Sequence, residues 1–171
     1  MSAVLMSREE GRLAPKAAPP ETAVLHRFHF AYTAAASAPA AEEPTAAMKR
    51  TYEGAGGLVD SDELILLLRK RTAQPISLLA RLIVAHGVVS FEWQSQRLLP
   101  LFQFETPYMS VRSSVSAVLA ELSGTFDDRE IAIWFATPNG WLDDAAPLHV
   151  INVDRTAVLN AARADRFIAR G

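Results

Sequence analysis

The chain has 171 residues and no cysteine. That absence removes disulfide frameworks, thiol nucleophiles and Cys-ligated zinc or iron–sulfur sites. No apolar run approaches the ~20 residues that a helix needs to cross a bilayer. Net charge is also scarce, since 17 Lys and Arg against 19 Asp and Glu leave −2. A balance so close to neutral gives no argument by itself for nucleic acid or a membrane surface. Near the start stand Glu9 and Glu10 where a secretory leader would carry a continuous apolar segment, so a cytoplasmic protein is expected. No serine or threonine has a recognisable base and orienting acid near it in the sequence. His26 and His29 form an HRFH pair with no third or fourth ligand type beside them, which is a poor signature for a metal. These absences predict no catalytic site, no cofactor and no metal.

What is present divides unevenly. Residues 1–47 hold 14 Ala and 5 Pro and have no sustained periodicity. Such a stretch buries too little apolar surface to offset the entropy of ordering it. Two readings stand side by side: a disordered tail, and an upstream extension of a reading frame that begins at Met48. The patch AVLHRFHFAY at 23–32 is the one segment there with docking character.

Order is expected from about Gly56. Asp60 and Glu63 have capping-box spacing, with Val59 and Leu64 placed for a hydrophobic staple. The helix they open should run to about Arg71, burying Leu64, Ile65, Leu67 and Leu68. Gln74 and Pro75 start a second helix, proline being tolerated at the first helical position. Its stripe is Leu78, Leu79, Leu82 and Ile83, and Gly87 is placed to end it. Val89, Phe91 and Trp93 then alternate with polar residues at strand period. Ser95 and Gln96 are read as the turn, and 97–104 as the returning strand, which Pro100 should confine to an edge. Residues 56–107 are therefore expected to form a helix-turn-helix-like subdomain with a β-hairpin.

Val111, Val115, Val118 and Leu122 recur at helical spacing after Pro107. In FDDREI, Asp127 caps a helix, Glu130 reaches back, and Phe126 and Ile131 staple it. Ile131, Trp134 and Phe135 are its buried face, and Pro138 stops it. Pro147 opens a short turn of helix and Asp154 caps a last one, whose free end another molecule could read. The predicted fold class is mainly α: two helices, a central hairpin, then three to four helices.

One string carries more than fold. Trp134 and Phe135, then Pro138 and Asn139, then Leu142, then Pro147 and Leu148, make a WF..PN..L....PL pattern. A closing helix follows, with Val158 and Leu159 inward and Phe167, Ile168 and Gly171 at its end. The segment 112–171 resembles the toxin-binding domain of the Xre/MbcA/ParS antitoxins, whose partners are RES-domain toxins that attack NAD. The sequence departs from that pattern at Asp143 and Asp144, where many members carry Gly or Arg. It departs again at His149 and Val150, and at Asp154 and Arg155. The resemblance implies a toxin-binding domain over 108–171 and a homodimer. It also implies a C-terminal helix that blocks the active site of a RES-type NAD-degrading or ADP-ribosylating toxin. Partner-binding residues would be Asn139, Trp141, Leu142, Arg163, Arg166, Phe167, Ile168, Arg170 and Gly171. Trp141 suits an anchor because large aromatics on turns are enriched in interfaces. Arg163, Arg166 and Arg170 share one helix face, which is expected either to be a solvated stripe or to meet a partner.

The second expectation is a small DNA-binding regulator acting through the helix-turn-helix-like half. Family relatives carry a DNA-binding domain ahead of the toxin-binding one. Reading bases and clamping phosphates needs Lys, Arg, Asn or Gln on the second helix and wing. The candidates are few: Gln74, Ser77, Arg81 and Arg97.

Overall fold

The computed structural model describes residues 44–171. The HRFH pair and the 23–32 patch lie outside the described residues. Among those described, the protein is mostly helical with small antiparallel sheets. The element order is α1 (Pro44–Glu53), β1 (Leu58–Asp60), α2 (Ser61–Arg69), α3 (Pro75–Val84), β2 (Phe91–Trp93), β3 (Gln96–Pro100), β4 (Phe104–Glu105), β5 (Ser110–Val111), α4 (Ser113–Leu122), α5 (Asp128–Ala136), α6 (Pro147–Val150) and α7 (Arg155–Arg170).

Folded structure begins earlier than expected. α1 starts inside the Ala/Pro-rich stretch and runs through Met48 and Tyr52, both buried. Tyr52 stacks near Phe91 and Phe102, with centroids 6.5 and 5.8 Å away. Its hydroxyl donates to the Ala132 carbonyl at 2.7 Å. One turn of helix separates the two side chains, so a single face of α1 seals the core.

The hairpin is part of a three-stranded antiparallel sheet in the order β1-β3-β2. The strand expected at an edge is the central one. Pro100 is its last residue, opposite Leu58, and the Leu101 N–H beyond it still donates to the Gly57 carbonyl, so the proline is tolerated at the strand's end. The chain then makes a 3-10 turn at Leu101–Gln103 before β4, so 97–104 is not one strand. The tight turn falls one residue earlier than expected. Trp93 pairs with Gln96, and Gln94 and Ser95 both have positive φ, 47° and 65°. Positive φ at both central residues matches the twist of the flanking strands in two-residue hairpins. Val89 stays outside the strand because the buried Gln103 side chain takes its N–H and its carbonyl.

Of the two capping boxes expected, one forms by half and one in full. The Asp60 side chain accepts from the Glu63 N–H at 2.8 Å. Asp127 and Glu130 form the full reciprocal box. α5 thereby buries Ile131 and Phe135 against the main core, at about 1.5–3 kcal/mol for each large side chain removed from water. Trp134 is only partly buried.

Two apolar clusters result. The smaller joins Val59, Leu64, Leu68, Leu79, Val88, Leu99 and Phe104. The larger draws Met48, Tyr52, Val89, Phe91 and Phe102 together with residues of α4, α5, α6 and α7. The expected division between 56–107 and 108–171 is therefore crossed by a shared core. Among the described residues no helix is long and apolar enough to cross a membrane.

Candidate functional site

The TPNGWL elbow is built around one carboxylate on α7. Asn139 accepts the Trp141 N–H with its side-chain oxygen at 2.9 Å, which starts a short 3-10 turn. Asp143 and Asp144 close the elbow in the left-handed region, with φ of 53° and 60°. Glycine occupies that region freely, and aspartate is among the few others that tolerate it. Asp165 then accepts three side-chain donors. They are Trp134 Nε1 at 2.7 Å, Asn139 Nδ2 at 2.7 Å and Trp141 Nε1 at 3.0 Å. The clamp ties α5, the elbow and α7 into one unit. Sequence reading missed Asp165, because its partners lie 24 to 31 residues away.

This geometry separates the expected partner-binding residues into groups. Asn139 and Leu142 are buried and serve the elbow. Trp141 keeps its indole N–H on Asp165 while the residue is 60% exposed. Phe167 and Ile168, in the last turn of α7, are 78% and 52% exposed. Ile168 lies three residues beyond Asp165, on the side of α7 that faces the elbow. Gly171 caps the helix and is exposed, with φ of 82°.

The three arginines are held within the protein. Arg163 Nε donates to Glu121 Oε1 on α4 at 2.9 Å, and Arg166 pairs with the other oxygen of the same carboxylate. The Arg163 hydrogen bond, with the nearby charges of Arg166 and Arg163, holds the Glu121 carboxyl below its usual range despite the opposing effect of burial. Arg170 Nε donates to Thr125 Oγ1 at 2.9 Å. The shared arginine face is thus the seam between α4 and α7.

In the helix-turn-helix-like half, Gln74, Ser77 and Arg81 are exposed on or beside α3. The same helix also exposes Ile76 and Val84, at 62% and 81%. Arg97 is engaged: it donates to Ser90 and Glu92 and lies 3.9 Å from Asp128. His86 Nδ1 and Asp128 Oδ1 are 2.8 Å apart, linking the end of α3 to the start of α5. His149 is exposed. No group of three or more His, Cys, Asp or Glu among the described residues is arranged to hold a metal. The chain matches no family model, no curated protein and no solved structure.

Proposed function

We propose that the chain is an antitoxin that binds and neutralises a RES-type toxin attacking NAD. The observation that carries a binding role is the exposure of Trp141, Phe167 and Ile168 on a rigid support. Large apolar side chains in water cost free energy, whereas the same groups on a fixed scaffold are efficient anchors for a partner. The Asp165 clamp holds the Trp141 indole, whose mobility a partner would otherwise have to freeze out. The partner's class rests on the WF..PN..L....PL resemblance. In this reading the last turn of α7 covers the toxin's NAD pocket. The α4–α7 arginine seam holds the helix in place and does not itself touch the toxin. The working unit is a homodimer in the cytoplasm.

The test is co-expression with a RES-domain toxin encoded beside the gene. Deleting the last eight residues is a poor variant, because Asp165 and Arg166 go with them. Phe167→Ser with Ile168→Ser leaves both clamps intact. Protection of growth and toxin binding should be lost while the melting temperature stays within a few degrees. A folded double variant that still protects overturns the reading.

The regulator alternative gains one observation. α1 and β1 complete a winged-helix order of α1-β1-α2-α3-β2-β3. Against it, α3 presents Ile76 and Val84 where a phosphate-facing helix would carry cations. A gel shift on the chain's own promoter separates the two, since phosphate-driven binding falls steeply with salt.

A further inference from the structure

A crevice of about 540 Å³ opens between the winged half and the C-terminal helices. It is a different place from the Trp141 surface, and no part of the proposed antitoxin role uses it. Its walls are apolar, from Leu67, Leu101, Phe104, Met109 and Leu148. The polar side chains on the lining are few. Arg112, His149, Asn152 and Thr106 are there, and no aspartate or glutamate is.

Arg112 is the group that gives the crevice a chemistry. It is the residue before α4, its backbone N–H donates to the Gln103 carbonyl, and its Nε donates to the Phe102 carbonyl at 2.9 Å. The Nε bond holds the guanidinium against the wall of the crevice. Its two Nη groups have no hydrogen-bond partner among the described residues, and no carboxylate pairs with it there. A part-buried guanidinium held by one nitrogen, with two more nitrogens unspent, is suited to take an anion in the forked geometry that arginine provides. The volume falls in the usual range for small-molecule sites, which are mostly apolar with a few placed polar groups.

We propose that this crevice binds a small organic carboxylate with an apolar body, its charged end on Arg112 and its hydrocarbon against Leu67, Leu101, Phe104 and Met109. The carboxylate supplies the acceptor pair that Arg112 lacks. The hydrocarbon would lie against these apolar walls, at about 25 cal/mol per Å² removed from water.

Decanoate is the probe, titrated into the full chain well below its micellar concentration, with methyl NMR following Met109 and Leu148. Saturable binding with shifts at both methyl groups is expected. Decanol, equal in length and uncharged, should bind at least tenfold more weakly. Leu67→Trp narrows the crevice without touching Arg112 and should abolish the shifts. Arg112→Gln should bring decanoate down to the affinity of decanol. Because Arg112 also braces the backbone, the decanol comparison and Leu67→Trp carry the test if that variant unfolds. Binding that never saturates, decanol binding as well as decanoate, or undiminished binding by a folded Leu67→Trp chain overturns the proposal. Antitoxin activity is read separately, so either proposal can fail alone.

Discussion

A carboxylate has two oxygens and lone pairs enough for several donors, and hydrogen bonds to an ionised group are worth about 1.5–3 kcal/mol each. Asp165 uses both oxygens on three donors from two elements. Substituting Asp165→Asn keeps the size but replaces one oxygen with an amide NH2, which would face an N–H instead of accepting it. The cost falls chiefly on Trp134 and Asn139, because Trp141 can turn to water. Urea unfolding should show a loss of about 2–3 kcal/mol. A loss below about 0.5 kcal/mol would mean that the clamp contributes little to stability. Tyr52 illustrates the same rule from the buried side. Burial pushes its phenol well above the usual value, so it stays neutral and acts only as a donor to Ala132.

α7 is positioned by two kinds of contact. Val158, Ala161 and Ala162 bury its inner face, and small residues there let it lie close to the core. The arginine seam then fixes its rotation against α4. The acid response of that seam follows from Glu121. Its folded carboxyl lies below the ordinary glutamate value of 4.5. A depressed carboxyl stabilises the fold fully above the unfolded value, and that contribution fades as pH falls through the folded one. Glu121→Gln should therefore cost stability at pH 7, by no more than about 1 kcal/mol because the pairs are near water. The difference between variant and parent should shrink below pH 4.5. Thermal melts across pH 3 to 7 check both signs, and a constant gap over that range would show that Glu121 is not the titrating group.

Elements marked by local chemistry were the ones legible in the sequence. The FDDREI box and the Asp154 cap each place donor and acceptor within three residues, and the Pro75 start needs only a proline at the first helical position; each stands where it was read. β1 was not legible, since three residues form a strand only through their pairing with β3. α1 was hidden because only Met48 and Tyr52 distinguish its inner face within an Ala/Pro-rich context. In the candidate site, the exposure of Trp141 followed from a large ring on a turn beside Gly140. The arginine face was visible as a helix stripe, but its partner Glu121 is 42 residues from Arg163, and no local pattern reports such a distance.

At the scale of the molecule, the larger core decides what can be removed. It is closed on one side by α1, which supplies Met48 and Tyr52, and on the other by α4, α5 and α7. A chain beginning at Met48 retains both side chains and gives up only the first four residues of a helix whose inner face starts there. A chain beginning at Gly56 loses both. Truncating one large buried aromatic costs about 3–5 kcal/mol, and a buried methionine about 2–5. Their sum is comparable to the whole ~5–15 kcal/mol by which a domain is stable. The shared core also means that residues 108–171 alone would expose the apolar surface that Tyr52, Phe91 and Phe102 now cover. The chain from Met48 should therefore melt in one cooperative step seen alike by far-ultraviolet circular dichroism and tryptophan fluorescence. The chains from Gly56 and from residue 108 should show no such transition at 25 °C. A cooperative melt from the 108–171 fragment would mean that these residues fold independently and that α1 and the sheet are an addition to them.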